Sequence, residues 1–322
     1  MTAPRPVAPR PDARSPLTIS AEVGDALAAG RPVVALESTL ITHGLPAPAN
    51  LAVALASEAA VRREGATPAT IAIRGGRLLV GLSADELALL AAATGAAKAS
   101  RHNLAAVLGG GGWAGTTVSA TMIVAHLAGI RVLATGGIGG VHRGGAASMD
   151  VSADLDELAR TPVLVVCAGP KSILDVRLTL EVLESRGVPV VGLAVDELPG
   201  FFSRTSGLPL HVRVETPAEA AALARRHWSL GMAGGIVVTT PVPAAAALGS
   251  EEAGRAIERA LAEAEAGGIG GPAATPWILA RVAELTGGRS TVANVALIEH
   301  DAEVGARIAA ALADGTDATT GA

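Results

Sequence analysis

A single lysine in the middle of the chain follows an apolar run and has the surroundings of a candidate nucleophile. Residues 163–167 are all apolar, which predicts a buried strand, and residues 168–170 (Ala-Gly-Pro) predict a tight turn before Lys171. The apolar spacing over residues 172–180 predicts a helix, so Lys171 would lie at a strand-to-helix turn, where open α/β sheets bind ligands. Apolar walls and the positive end of a helix dipole would disfavour the ammonium form, and a free amine could attack a carbonyl carbon. The alternative is a solvated lysine in the first helical turn.

A carboxylate and an imidazole follow a second predicted strand. Glu37 comes directly after the apolar residues 32–36, and His43 lies a few residues further on. Functional loops begin at strand ends in α/β proteins, and a buried Glu with a raised pKa suits general acid catalysis. The alternative is that Glu37 hydrogen-bonds to local backbone and that His43 is a satisfied turn residue. The two residues taken alone favour this alternative.

A glycine-rich segment over residues 135–145 precedes an acidic one. Its Gly-Gly-Ile-Gly-Gly spacing differs from the Gly-x-Gly-x-x-Gly dinucleotide fingerprint, yet its backbone could approach an anion closely, with His142 and Arg143 completing the site.

The acidic segment supplies five residues with oxygen donors: Asp150, Ser152, Asp154, Asp156 and Glu157. These donors suit Mg²⁺ or Mn²⁺, whereas zinc is not expected without a Cys or His cluster. The alternative is that Ser152 caps the helix that follows and that the acidic side chains complement the dipole of its first turn.

Lys98 begins a polar segment, residues 98–103, of a kind that usually forms a solvated surface. Thr117 and Val118 lie at the start of a predicted helix, after several glycines. Free backbone amides at such a helix start could bind a phosphate, with Lys98 as the countercharge.

The predicted elements alternate between strands and helices along the chain. The predicted strands are residues 32–36, 69–73, 77–81, 131–135, 163–167, 188–194 and 235–239. The predicted helices are residues 17–29, 50–64, 83–94, 117–127, 154–159, 172–180, 216–230, 250–266 and 275–286, and one that begins at residue 292. This alternation predicts a three-layer α/β/α sandwich with a central, mostly parallel or mixed sheet. We expect a single domain over residues 17–312, between a disordered tail (1–16) and a frayed C-terminus (313–322).

The composition excludes several classes of protein. The chain has 322 residues, of which 50% are hydrophobic but only 2% aromatic, so its core must consist of Ala, Val, Leu and Ile, as suits a covered parallel sheet. A net charge of −5 and the scarcity of aromatic side chains argue against nucleic-acid binding. One cysteine, Cys167, excludes an intrachain disulfide, and no apolar run approaches the length of a membrane span. These features predict a cytoplasmic protein.

Several segments taken together resemble the pseudouridine-5′-phosphate glycosidase family, also called pseudouridylate synthase, which includes the indigoidine-cluster glycosidases. The matching segments are VALEST (34–39), TIAI (70–73), TTVSATM (116–122), ATGGIGGVHRG (134–144), DVSADL (150–155), ARTPV (159–163), CAGPKSILD (167–175) and ANVAL (293–297). The resemblance extends over roughly residues 17 to 310, and several of the matching segments exceed six residues in length.

The resemblance implies a lyase that reversibly cleaves the C-glycosidic bond of pseudouridine 5′-phosphate to uracil and ribose 5-phosphate. It implies that Lys171 forms an imine with ribose C1′, that Glu37 donates a proton, and that Asp150 binds one divalent metal ion per subunit, usually Mn²⁺. The implied substrate-binding residues are Lys98, Thr117, Val118, His142, Ser152, Ala153, Asp154 and Asn294. The family also implies a homotrimer that works alongside a pseudouridine kinase.

The chain departs from the family pattern in three places. These are residues 144–149, where the family often has a longer turn, residues 201–204 (Phe-Phe-Ser-Arg), and residues 240–241, where an Asn-Pro step is usual. No departure removes a residue to which the resemblance gives a catalytic role.

Two rival functions remain at this point. A Schiff-base lyase or aldolase acting on another phosphosugar would share Lys171 and the phosphate site but would not need a pyrimidine pocket. A nucleotide-binding regulatory module would use the glycine-rich loop and bind a ligand without turnover. That second function gives no reason for Lys171, Glu37 and Asp150 to occur together.

Overall fold

The computed structural model describes residues 15–269 and 274–315. Its strands are β1 (Leu17–Ile19), β2 (Val33–Leu36), β3 (Thr67–Arg74), β4 (Arg77–Val80), β5 (Ala97–Ala99), β6 (Trp113–Thr116), β7 (Val132–Ala134), β8 (Leu164–Cys167), β9 (Val190–Leu193), β10 (Val212–Val214) and β11 (Ile236–Thr239). Its α-helices are α1 (Ala21–Ala28), α2 (Ala49–Arg63), α3 (Ala84–Ala91), α4 (Leu104–Leu108), α5 (Val118–Ala128), α6 (Gly145–Ser148), α7 (Ala153–Leu158), α8 (Val176–Ser185), α9 (Pro217–Ser229), α10 (Ser250–Ala266), α11 (Ala274–Leu285) and α12 (Arg289–Asp314). A short π-helix, Leu40–Gly44, follows β2.

The strands of the described ranges form one mixed sheet. Its order is β1-β4-β3-β2-β7-β8-β11-β9-β10, and β6 also pairs with β3 while β5 pairs with β6. All neighbours are parallel except β4 and β6, which run antiparallel to β3. The carboxyl ends of the central strands β2, β7, β8 and β11 therefore lie at one edge, where α/β sheets bind ligands.

Helices cover both faces of this sheet. In β2, Val33 and Ala35 belong to a core that includes residues of α1, α5, α7 and α8, whereas Val34 and Leu36 belong to a second core with α2, α9 and α12. Successive side chains of a strand point to opposite faces, so a strand between two helical layers must be apolar at every position. The prediction of a three-layer sandwich with a mixed central sheet is confirmed.

A third apolar cluster lies next to the carboxyl edge of the sheet. It joins α10, α11 and the first half of α12 to Phe201, Phe202 and segments that follow β8 and β11. The two phenylalanine rings meet edge to face, with centroids 4.9 Å apart. This cluster supplies one wall of the site described below.

The N-terminal part of the domain differs from the prediction of one helix over residues 17–29. Leu17–Ile19 is a strand that pairs in parallel with β4, and α1 begins only after Ser20, whose hydroxyl accepts from the Val23 amide at 3.4 Å. Pairing at the sheet edge outweighs the weak helical pattern of this segment. The short elements β5, β6, β10, α4 and α6 were not predicted either.

The ends of the chain lie mostly outside the described residues. The predicted disordered tail falls there except for residues 15 and 16, as do residues 316–322 of the predicted frayed C-terminus. The final helix includes residues 313 and 314. Among the described residues, no helix combines the length and the apolar character that crossing a membrane requires.

Candidate active site

A cavity of about 620 Å³ opens at the carboxyl edge of the sheet. Its volume lies within the range of small-molecule sites. All the residues to which the resemblance assigns a role line this cavity: Glu37, Lys98, Thr117, Val118, His142, Asp150, Ser152, Ala153, Asp154, Lys171 and Asn294. Residues from seven separate segments of the chain are thus brought together in one place.

Lys171 lies in the turn after β8, and its amine contacts the backbone of the glycine-rich loop. Its Nζ donates to the Gly137 carbonyl at 3.0 Å, and its own amide donates to the Ile138 carbonyl at 3.1 Å. The following helix begins at Val176, where the Asp175 side chain accepts from the Leu178 amide at 2.9 Å. The prediction of a helix over residues 172–180 was therefore wrong at its start. Lys171 is not at a helix N-terminus, and the helix dipole gives no reason for a neutral amine.

Glu37 follows β2 directly and faces the cavity. Its Oε1 accepts a hydrogen bond from the Thr135 hydroxyl at 2.9 Å, and Thr135 follows β7, the next strand of the sheet. Removal from bulk water raises the pKa of this carboxyl group, although Lys171 and Thr135 act in the opposite direction. A carboxylic acid that keeps its proton above the usual pH range suits the predicted role of proton donor.

Lys98 is the central residue of β5, so the residues predicted to form a solvated surface include a strand at the cavity wall. Burial, followed by the positive charge of Lys171, lowers the pKa of Lys98. Asn103 fixes this strand end, because its side-chain amide donates to the Lys98 carbonyl at 2.9 Å and its Oδ1 accepts from the Ser100 amide at 2.7 Å.

Asp154 connects two walls of the cavity through backbone amides. Its Oδ1 accepts from the Ser119 amide at 2.9 Å and its Oδ2 from the Gly139 amide at 2.8 Å, and the residue is only 5% exposed. Ser152 caps the same helix, α7, by accepting from the Asp154 amide at 3.2 Å. The capping alternative was thus correct for Ser152, and Asp154 holds α5 and the glycine-rich loop in a fixed relation.

The glycines of this loop allow close packing of protein against protein. A Cβ on Gly137 would lie 2.5 Å from Phe201 Cε2, and one on Gly139 would overlap the Ser152 side chain. This close packing is sufficient reason for glycine at Gly137 and Gly139, without an anion close to the backbone. Arg143, predicted to complete an anion site, is exposed and does not line the cavity.

The start of α5 offers fewer free amides than expected. Thr117 caps the helix, but its amide donates to the Ala99 carbonyl at 2.9 Å in the sheet, and the Ser119 amide is used by Asp154. Of these positions, the Val118 amide is the donor that remains for a ligand. The prediction that the Thr117 amide also binds phosphate was wrong.

The acidic segment predicted to bind a cation separates in the structure. Glu157 contacts Arg101 and Thr161, and Asp156 pairs with Arg186 at 3.1 Å. Asp150 is exposed at the cavity rim, 3.9 Å from the imidazole Nδ1 of His142. No group of three or more His, Cys, Asp or Glu side chains within the described ranges is arranged to bind a metal ion. A single carboxylate such as Asp150 is enough for Mn²⁺ or Mg²⁺, because these ions can complete their coordination shell with water. It is not enough for an ion that needs a cage of protein ligands.

Sequence reasoning underestimated two features of this site. His43 lines the cavity and lies in the short π-helix, not in a turn, with its Nδ1 2.7 Å from the Thr42 hydroxyl. Burial, and to a lesser extent Lys98, lowers the pKa of His43.

The second feature is the scarcity of lysine. The chain contains 25 basic residues but only two lysines, Lys98 and Lys171, and both line this cavity. The scarcity of lysine is a signal that the sequence alone contains.

The family comparison agrees with this geometry. A sequence model of the family described as "Indigoidine synthase A like protein" matches residues 22–311. The chain belongs to this family. Among its indigoidine synthase A-like relatives, the pseudouridine-5′-phosphate glycosidase of Cupriavidus pinatubonensis is 56% identical over 301 residues, covering 94% of this chain and 96% of the relative. The enzyme of the same name from Deinococcus radiodurans is 54% identical over 294 residues, covering 91% and 94%.

Two solved structures of the indigoidine synthase A-like fold are also similar. The prealnumycin C-glycosynthase AlnA, in complex with ribulose 5-phosphate, has a TM-score of 0.87 and 40% identity, covering 94% of this chain and 98% of that one. An indigoidine synthase A-like protein from Thermotoga maritima has a TM-score of 0.83 and 34% identity, covering 92% and 96%. The predicted family, the fold and the prediction that this chain is an enzyme are therefore confirmed, and the regulatory-module alternative is no longer needed.

Proposed function

We propose that the protein reversibly cleaves the C-glycosidic bond of pseudouridine 5′-phosphate, giving uracil and ribose 5-phosphate through an imine between Lys171 and ribose C1′. The observation that carries the proposal is the convergence of Lys171, Lys98 and Glu37 in one cavity. The names of the relatives support the substrate. The neighbour that holds ribulose 5-phosphate supports a site for pentose phosphates.

A carbon–carbon glycosidic bond explains why a lysine is needed. No glycosidic oxygen is present to be protonated, so the usual pair of carboxylates cannot make the base a leaving group. Lys171 Nζ instead bonds to C1′ as the bond from C1′ to the ring oxygen breaks, and the opened ring oxygen takes a proton. The nitrogen lone pair then forms the C1′–N double bond while the electrons of the C1′–C5 bond pass to the uracil ring.

The remaining steps need proton transfers. Glu37, held by Thr135 and with its pKa raised by burial, supplies the proton to uracil C5 as the base leaves. Water then hydrolyses the iminium, which releases ribose 5-phosphate and restores the Lys171 amine. Since every step is reversible, the same residues catalyse bond formation from uracil and ribose 5-phosphate.

An assay for uracil tests this proposal directly. Incubation of the protein with pseudouridine 5′-phosphate and Mn²⁺ should release uracil and ribose 5-phosphate in equal amounts. The second candidate, a Schiff-base lyase or aldolase acting on another phosphosugar, is favoured by the ribulose 5-phosphate bound to the neighbour. It predicts no uracil, but an imine with other pentose phosphates.

Lys98 and the Val118 amide are proposed to bind the 5′-phosphate. Replacing Lys98 with Ala should raise KM for pseudouridine 5′-phosphate by about 10- to 100-fold, the scale of a lost hydrogen bond to a charged group. The KM for unphosphorylated pseudouridine should change far less. Steady-state kinetics on both substrates measures the difference, with Arg101→Ala as the matched control, because Arg101 pairs with Glu157 and does not line the cavity. Equal losses on both substrates would show that Lys98 acts elsewhere.

Asp150 is proposed to bind the divalent ion, with water and His142 beside it. A bound Mn²⁺ or Mg²⁺ would place positive charge next to oxygen atoms of the substrate. Replacing Asp150 with Ala should weaken Mn²⁺ binding at least about 10-fold, measured by the paramagnetic resonance of free Mn²⁺, and should remove metal-stimulated turnover. Asp196→Ala, which removes an exposed acid that pairs with Arg213 and does not line the cavity, is the control. Turnover that EDTA leaves unchanged would contradict the proposal.

The homotrimer and the pairing with a pseudouridine kinase stay predictions from the resemblance, and the cytoplasmic location stays a prediction from the composition.

A further inference from the structure

A buried carboxyl group that the proposed mechanism does not use lies beneath the cavity wall. Asp301 of α12 is 0% exposed, and its Oδ1 accepts a hydrogen bond from the Thr240 hydroxyl at 2.8 Å. Its Oδ2 is also buried and has no hydrogen-bond partner among the described residues. Burial raises the pKa of Asp301 well above its usual value, against opposing contributions from Thr240 and the Ala168 amide. Burying a carboxyl group with so few partners costs stability, so its presence needs an explanation.

Thr240 connects Asp301 to a series of strand ends at the carboxyl edge. Thr240 follows β11, and its amide donates to the Cys167 carbonyl of β8 at 3.0 Å. The next amide of that strand end, Ala168, donates to the Gly136 carbonyl after β7 at 3.1 Å. Lys171 is three residues beyond Ala168, and Glu37 is bonded to Thr135, the residue before Gly136. The strand ends that carry both proposed catalytic residues are thus linked to the residue that Asp301 binds.

The same face of α12 carries the cavity wall. Asn294 and Ile298 line the cavity, and Asp301 follows them at helical spacing on that face. Ile298 packs directly on the backbone at Gly136, where an added Cβ would lie 2.7 Å from Ile298 Cγ1. The helix therefore touches the strand ends at two places, an apolar contact at Ile298 and a hydrogen bond at Asp301.

We propose that Asp301 is a positioning residue of the active site: its carboxyl group fixes the ends of β8 and β11 against α12, and so sets Lys171 and Asn294 in register across the cavity. This inference rests on the proposed function, since it concerns the geometry of that reaction. A packed apolar pair could join the helix to the sheet equally well, but it would not fix their relative position through one directional bond.

Kinetics of four variants tests the inference. Thr240→Val removes the hydroxyl that Asp301 binds, and Asp301→Ala removes the carboxyl group. Each should lower kcat by roughly 10- to 100-fold, the cost of misplacing reacting groups by about 1 Å, with KM for the phosphorylated substrate changed less than about threefold. Asp301→Asn keeps the acceptor and the shape, so it should retain kcat within about threefold. Glu303→Gln is the control, because this acid of the same helix pairs with Arg63 at the surface.

A second readout separates positioning from general loss of structure. The rate at which borohydride traps ribose 5-phosphate on the enzyme should fall with kcat in Thr240→Val and Asp301→Ala but not in Asp301→Asn, while circular dichroism stays unchanged. If Asp301→Ala does not fold, Thr240→Val and Asp301→Asn still decide the question. Wild-type kcat in Thr240→Val, or loss of kcat in a folded Asp301→Asn, would overturn the inference. An inactive wild type would instead contradict the proposed function, which the uracil assay reports separately.

The stability of Asp301→Asn should also depend on pH in a defined direction. The folded protein keeps a proton on Asp301 that the unfolded chain loses near pH 4, so wild-type stability falls as pH rises from there towards the raised pKa. The Asn variant lacks this loss of stability, so its Tm relative to wild type should rise as the pH increases above about 4. The titratable neighbour that faces Asp301 from β8 is Cys167, whose pKa is raised to about 12 and which therefore stays uncharged over this range. A constant Tm difference would contradict the burial of a protonated Asp301.

Discussion

Replacing Lys171 with Arg is expected to lower kcat for uracil release by about 10⁴-fold or more, the scale on which loss of a covalent nucleophile acts. A guanidinium group keeps the positive charge but cannot form an imine with ribose C1′. The Lys171 side chain lies at the cavity wall with one hydrogen bond, to the Gly137 carbonyl, so the fold should tolerate the change. Uracil release under saturating substrate measures the loss.

Lys98→Arg is the matched control for this experiment, because it changes the only other lysine in the same way. It keeps the charge proposed to bind phosphate, and it should retain the trapped imine on Lys171. A Lys171→Arg enzyme with kcat within tenfold of wild type would show that an imine on Lys171 does not lie on the reaction path.

Replacing Glu37 with Gln is expected to lower kcat by about 10²- to 10⁴-fold, the usual contribution of a general acid. The amide is close in shape but cannot donate a proton to uracil C5. Imine formation with ribose 5-phosphate should persist, because that step does not involve the base. Trapping and uracil release measured on the same variant separate the two steps, and a Glu37→Gln variant that fails in both would contradict the assigned role.

The pH dependence of kcat/KM for cleavage should reflect the ionisation of Glu37. Since burial raises the pKa of Glu37, its acid form should persist above the normal range for Glu, and kcat/KM for cleavage should fall as pH rises through that raised pKa. Thr135→Val removes the hydrogen bond that favours the charged form, so this variant should move the fall to higher pH. An unchanged or downward shift would show that another group controls the profile.

The sequence predicted the sheet well because its central strands are buried on both faces. Runs such as residues 163–167 must be apolar at every position to lie between two helical layers, and this makes them recognisable. Reactive side chains that follow such runs, Glu37 directly and Lys171 after a three-residue turn, then meet at the carboxyl edge because parallel strands end there together. The strand pattern therefore predicts Glu37 and Lys171 at one edge of the sheet, whereas the other residues of the site were implied by the family resemblance.

The elements that were not predicted lack such a pattern. Residues 97–99, the strand of Lys98, are Ala-Lys-Ala, and nothing in three residues of this kind indicates sheet pairing. The start of α8 depends on capping by Asp175, which the apolar spacing over residues 172–180 does not reveal. The buried bond between Asp301 and Thr240 joins residues far apart in the chain, so local sequence could not indicate it.

The central claim is that the reaction proceeds through an imine on Lys171, and borohydride trapping tests it most directly. The wild-type protein is incubated with ribose 5-phosphate, reduced, digested with trypsin and examined by mass spectrometry. Because the chain contains only two lysines, the adduct has few places to form. The account predicts a missed cleavage product over residues 161–177, heavier by ribose 5-phosphate less one oxygen atom, with the modification on Lys171. An adduct on Lys98, or an enzyme that releases uracil while no adduct can be trapped, would contradict it.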